Sequence, residues 1–150
     1  MDKNIDSLII SPNDSIKKAM KVIGDAGFRC VLVADEKRYL IGILTDGDIR
    51  KCILKEVNLN LSVKVIMNIN PIVLGEKYTL KEAKDIMIEN GITLIPVVDK
   101  NKKITNYLHL PDIIYELEKN GEFQRKKRTK SDIKNILVIG GAGYIGSVLV

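Results

Sequence analysis

Displacing the chain by 64 positions against itself, without a gap, lays like on like from Leu8 to Ile49. Leu8-Ile9-Ile10 falls on Ile72-Val73-Leu74, Ser15-Ile16 on Thr79-Leu80, Ala19 on Ala83 and Gly27 on Gly91. Further on, Val33 meets Val97, Asp35 meets Asp99, Leu44 meets Leu108, and Asp48-Ile49 meets Asp112-Ile113. This repeat constrains the fold more than any single motif. Two helices and a small sheet bury too little apolar surface to be stable alone, so two copies are expected to share a core, sheet against sheet.

Within each copy the pattern reads strand, helix, strand, strand, helix, an α/β (α+β) unit. Leu8-Ile9-Ile10 is a short strand ended by Ser11-Pro12-Asn13-Asp14. Residues 15–26 carry Ile16, Ala19, Met20, Val22 and Ile23 at helical spacing, with Asp14 or Ser15 as N-cap and Gly27 as C-terminal stop. The apolar run Cys30-Val31-Leu32-Val33-Ala34 predicts a buried strand. Asp35-Glu36-Lys37-Arg38 turns the chain into a second strand, residues 39–44, and a helix follows over residues 49–54. Met20, Met67 and Met87 read as core filler, and Lys37-Arg38 as a solvated hairpin.

The corner Gly42-Ile43-Leu44-Thr45-Asp46-Gly47-Asp48-Ile49 joins strand to helix. Free N–H groups and the positive dipole end there suit a phosphate or a polyol. The purely local alternative is a capping box, with Thr45 capping the helix and Asp48 reaching back.

Charge and cysteine usage narrow the function classes. The net charge is +5, but six Lys/Arg and two acids lie between Gly121 and Lys134, so the rest of the chain is nearly neutral. Arg125-Lys126-Lys127-Arg128 therefore reads as a solvated linker, and nucleic acid is not the expected partner. Cys30 and Cys52 stand in no metal or redox spacing, and with one histidine no metal site is expected; both read as buried, reduced thiols of a cytoplasmic protein. No signal peptide opens the sequence, and residues 136–150 are too short to span a bilayer, so no membrane partner is expected.

The duplicated order, the link Val65-Ile66-Met67-Asn68-Ile69-Asn70-Pro71 and the Thr45-x-x-Asp48 corner together resemble tandem CBS domains, the paired unit called a Bateman module. The resemblance covers residues 6–119, divided as repeat one (1–60) and repeat two (61–119). It implies a non-catalytic regulatory pair that binds adenine nucleotides (AMP, ADP, ATP), or in some members S-adenosylmethionine, in clefts between the repeats, and that forms a homodimer through its helices. The implied complete cleft combines Thr45 and Asp48 with Pro71, Ile72, Val73, Ile92 and Thr93. Asp48 would hold the ribose hydroxyls, Thr45 and the helix N–H groups the phosphate, and Ile92 would pack on the adenine. Arg29, at the strand entrance, would reach phosphate bidentately, or else is a solvated surface side chain. In the other cleft Asp112 is retained, but His109 stands in place of Thr45, Asn106 in place of Gly42 and Pro111 in place of Gly47. That implies one good site and one weak, differently selective or empty one.

Beyond the repeats, residues 120–132 read as a charged linker, and residues 133–150 as the start of a dinucleotide-binding domain. Ile136-Leu137-Val138-Ile139 leads into Gly140-Gly141-Ala142-Gly143-Tyr144-Ile145-Gly146-Ser147, the strand–glycine turn–helix order of an NAD fingerprint at Gly140, Gly143 and Gly146. Its wording is similar to the opening of extended short-chain dehydrogenases that act on nucleotide sugars. The acidic ribose partner and the catalytic residues do not follow, so NAD is expected only in a full-length parent. The alternative functional reading is therefore a fragment of an NAD-dependent nucleotide-sugar epimerase or dehydratase, whose CBS part senses a sugar nucleotide or S-adenosylmethionine.

Overall fold

A computed structural model describes residues 5–122. The NAD fingerprint at Gly140, Gly143 and Gly146, and most of the basic linker, lie outside the described residues. Repeat one comprises β1 (Ile9–Ile10), α1 (Ile16–Ala26), β2 (Cys30–Ala34), β3 (Leu40–Thr45) and α2 (Asp46–Leu54). Repeat two comprises α3 (Leu80–Glu89), β4 (Leu94–Val98), β5 (Ile104–His109) and α4 (Leu110–Lys119).

The 64-residue shift holds at the level of register. Cys30 pairs with Thr45 across β2–β3, and Leu94 with His109 across β4–β5. Both hairpins carry an irregularity at the same step, Val33/Ala34 and Val97/Val98. Their turns are closed alike: Asp35 Oδ1 accepts from the N–H of Lys37 and Tyr39, and Asp99 Oδ1 from that of Asn101 and Lys103. The two turns then meet. Leu40 N–H donates to Lys102 O and Ile104 N–H to Arg38 O, both at 2.9 Å, so equivalent residues exchange equivalent bonds about a pseudo-twofold axis.

The first strand of repeat two departs from expectation. Where β1 forms a parallel ladder with β2, residues 72–74 make one bridge, Leu74 to Val97. Leu74 N–H donates to Pro96 O and its carbonyl accepts from Val98 N–H. Extending the ladder to Ile72 would require an N–H on residue 96, and proline has none. Ile72 and Val73 are consequently exposed and only Leu74 is buried.

Burial follows the duplication. Ile10, Ile16, Ala19, Val31, Val33, Leu44, Ile49 and Cys52 form one helix-against-sheet core, and Leu74, Ala83, Met87, Ile95, Val97, Leu108, Ile113 and Leu117 form its counterpart. Between them Leu8, Cys30, Leu32, Ala34 and Ile43 of repeat one face Leu94, Val98, Ile104 and Tyr107 of repeat two. The sheets thus pack on each other as the area argument requires. The link between the helices packs with repeat one through Val57, Leu59, Val63, Ile66 and Met67, so a boundary at residue 60 divides a segment held by the first repeat.

Candidate functional site

A cavity of about 360 Å³ opens between the repeats. Repeat one contributes Arg29, Cys30 and Ile43, and the β3–α2 corner contributes Thr45, Asp46, Gly47 and Arg50. The link contributes Asn68, Pro71 and Ile72, and the α3–β4 connection contributes Gly91, Ile92, Thr93 and Leu94. Of the residues proposed from sequence for the complete cleft, Thr45, Pro71, Ile72, Ile92, Thr93 and Arg29 share this one cavity.

Local chemistry explains how the corner is held. Thr45 is the N-cap of α2: its Oγ1 accepts from Asp48 N–H at 3.2 Å, and Asp48 Oδ2 accepts from Thr45 N–H at 3.0 Å. Thr45 Oγ1 also donates to the same carboxylate oxygen. The capping box therefore forms in full, and it engages Asp48 Oδ2 twice. Asp48 is not among the residues lining the cavity, which meets the helix start at Thr45, Asp46 and Gly47. Asp46 N–H donates to Arg29 O at 2.9 Å, which ties the helix start to the entrance of β2. The equivalent bond, Leu110 N–H to Thr93 O at 2.9 Å, ties the other repeat.

Electrostatically the cavity favours an anion. Arg29 and Arg50 both line it, and the carboxylate of Asp46 is paired with Arg50 at 2.8 Å. No carboxylate among the described residues pairs with Arg29. Apolar walls come from Ile43, Ile72, Ile92 and Leu94, and polar groups from the helix mouth together with Arg29, Asn68 and Thr93. Arg50 escaped the sequence reading because its place on the rim depends on which face of α2 turns to the cleft. One turn beyond Asp46 on a capped helix is the signal that would have found it. Cys30, buried against the cavity floor, has its thiol pushed up by burial to about 12, so it stays a neutral, unreactive wall.

The remaining proposed residues lie elsewhere. Val73 lines a smaller pocket of about 170 Å³ with Leu40, Ile69 and Lys102, which touches the main cavity's border at Pro71. His109 and Asp112 sit at the start of α4, His109 Nδ1 lying 3.6 Å from Asp112 Oδ2. His109 occupies the N-cap position but makes no side-chain cap hydrogen bond, and proline stands in the first turn of that helix. No group of acidic, histidine or cysteine side chains among the described residues is arranged to hold a metal ion. No helix among them is long and apolar enough to cross a membrane.

This geometry, two half-domains related by a pseudo-twofold axis with a cleft between them, agrees with the sequence profile of the CBS domain, which matches residues 1–55 and again 63–119. The chain belongs to the CBS domain family. The CBS pair is similar to arabinose 5-phosphate isomerase GutQ of Escherichia coli O6:H1, 33% identical over 98 residues, which cover 65% of this chain and 30% of the isomerase. The chain thus spans under a third of the length of that relative. Among solved structures, CBSX2 of Arabidopsis thaliana in complex with AMP superposes with a TM-score of 0.65 at 21% identity, over 75% of this chain and 88% of that one. The CBS domain pair of protein MJ0100, in complex with 5-methylthioadenosine and S-adenosyl-L-methionine, gives 0.65 at 24% identity over 75% and 89%. At these identities the structural likeness establishes the fold, a mixed α+β pair with small sheets.

Proposed function

We propose that this CBS pair is a regulatory sensor that binds an adenine nucleotide in the cavity between its repeats and grips it by the phosphate. One observation carries the reading: two guanidinium groups and a helix N-terminus converge on a cavity whose lining carboxylate, Asp46, is already neutralised by Arg50. Such a lining attracts a phosphoester and disfavours the sulfonium cation of S-adenosylmethionine, which would find no unpaired carboxylate on the wall. Ile72 and Ile92 supply apolar faces for a planar base, Thr45 and the N–H group of Gly47 face the phosphate, and Asp48 serves the site by holding the Thr45 hydroxyl in place. The AMP-bound neighbour supports this assignment, and the MJ0100 pair, bound to two adenosyl compounds, supports adenine as the base.

Titration calorimetry with AMP, ADP, ATP, S-adenosylmethionine and a CMP-sugar tests it, with Arg29→Ala, Arg50→Ala and Asp48→Ala as variants. A charge-assisted hydrogen bond is worth about 1.5–3 kcal/mol, so each Arg variant is expected to lose roughly 10- to 100-fold in affinity for the phosphate ligand. Asp48→Ala is expected to weaken binding by freeing Thr45. Tighter binding of S-adenosylmethionine than of any nucleotide, or full affinity in both Arg variants, overturns the assignment.

A second reading concerns what the sensor regulates. Similarity to a sugar-phosphate isomerase, together with the glycine segment at residues 140–146, supports a sugar-handling enzyme, an NAD-dependent nucleotide-sugar epimerase or dehydratase, as its partner domain. Epimerisation or dehydration of a sugar nucleotide, responsive to AMP, by a protein that joins this CBS pair to a complete dinucleotide-binding domain is the test. Homodimerisation is likewise proposed: Ile88 on α3 and Tyr115 on α4 are exposed apolar side chains on the outer helices. A mass from light scattering that stays monomeric at high concentration would remove it.

A further inference from the structure

Three lining positions of the cavity have counterparts under the 64-residue shift that are all rings: Ile43 becomes Tyr107, Thr45 becomes His109, and Ile92 corresponds to Phe28. In the structure these rings meet. The Phe28 and Tyr107 centroids are 5.6 Å apart at an interplanar angle of 82°, and those of Phe28 and His109 are 4.9 Å apart at 86°. Both are edge-to-face arrangements, the favoured packing of aromatic pairs. Phe28 also packs against the shared core.

We infer that Phe28 is a built-in occupant of the second cleft, and that its cluster with Tyr107 and His109 limits the CBS pair to one ligand per chain. Where the first cleft leaves space between two isoleucines and a threonine, the second fills it with its own aromatic side chains. The helix start has changed to match. His109 has given up the capping bond that Thr45 makes, and its ring is turned into contact with Phe28 instead. The position of Arg50 on the first rim is Ile114 on the second, so a phosphate there would also lose a guanidinium. With one site in each chain, ligand response within a chain is hyperbolic, and steepness arises only between chains.

The inference rests on the proposed function for the identity of the first ligand alone, and the test uses a probe that needs no nucleotide. Phe28→Ala removes the ring and is expected to open a void bordered by Tyr107 and His109. Indole, a neutral planar ring, should then bind Phe28→Ala saturably, raise its melting temperature and shift the His109 ring signals in NMR, while leaving wild type unchanged. Phe28→Ile, which borrows the residue of the first cleft, serves as the folded comparison should the alanine variant be unstable, and should also bind indole. AMP titrated into wild type should saturate at one equivalent per chain. A folded Phe28→Ala or Phe28→Ile that ignores indole overturns the inference, as does wild type saturating with two equivalents of AMP. Wild type that binds no AMP, with indole bound by the variants, sinks the nucleotide reading and leaves the occupied second cleft standing.

Discussion

Replacing Gly42 by alanine should damage fold and site together, and the size of the effect follows from the geometry. A Cβ at residue 42 would lie 2.7 Å from the carbonyl oxygen of Asn68 and 3.2 Å from Met67 Sδ. The first obstacle is backbone, and it is held: Ile43 N–H donates to Asn68 O and Asn68 N–H to Ile43 O, both at 2.9 Å. The link must therefore move away and stretch that reciprocal pair. Overpacking of this kind costs about 1–3 kcal/mol, and each of the two weakened hydrogen bonds adds about 0.5–1.5 kcal/mol, for a total of roughly 2–6 kcal/mol. For a domain of this size that is a fall in melting temperature of about 8–24 °C. Asn68 and Pro71 line the cavity, so nucleotide affinity should fall as well. Gly47→Ala is the internal control. Its Cβ would meet only Thr45 Oγ1 at 3.6 Å, an ordinary contact, and alanine is favoured over glycine within a helix by about 1 kcal/mol. Thermal melts followed by circular dichroism decide the matter: Gly42→Ala melting within 2 °C of wild type, or Gly47→Ala losing as much as Gly42→Ala, refutes the reasoning.

Other consequences are narrower. Thr45→Ala removes the N-cap oxygen of α2 and should cost about 1 kcal/mol in urea unfolding, while Thr45→Ser should recover most of it. Burial raises the Cys30 thiol from 9.0 to about 12, so the folded state keeps a proton that the unfolded chain releases. That contribution is fully present below pH 9 and is lost as pH rises toward 12, falling by about 1.4 kcal/mol per pH unit; Cys30→Ala should flatten the decline, and native protein at pH 8 should leave Cys30 unlabelled by a thiol reagent. Glu82 is held below its ordinary 4.5 by the backbone N–H of Thr79 and then by the Thr79 hydroxyl, so its stabilising charge persists above that value and fades as pH falls through the lowered one. Carbon-detected titration should find Glu82 titrating below the ordinary glutamate value, and Thr79→Ala should raise it toward that value.

How far the chain can be read without coordinates depends on how local each determinant is. The equivalence of the two hairpins, down to the turns at Asp35 and Asp99, was legible because an ungapped repeat carries backbone geometry with it. The lost strand at Ile72 was not, because its cause sits across the ladder at Pro96, a residue that looks unexceptional within its own apolar run. Asp48 illustrates a subtler limit: its spacing from Thr45 fits both a capping box and a ligand carboxylate, and only coordinates show Oδ2 engaged within the box and the residue off the cavity lining. Arg50 and Phe28 were missed for the same reason, since neither belongs to a motif and each acquires meaning from the face it turns inward. Duplication itself supplies the missing argument. Where two halves share a backbone, a position has a counterpart, and a difference between counterparts is informative where the common features are not. Isoleucine against phenylalanine at 92 and 28, threonine against histidine at 45 and 109, and isoleucine against tyrosine at 43 and 107 all change on one cleft and in one direction, toward larger rings. Three differences converging on one volume point to a second cleft filled by the side chains of the chain itself.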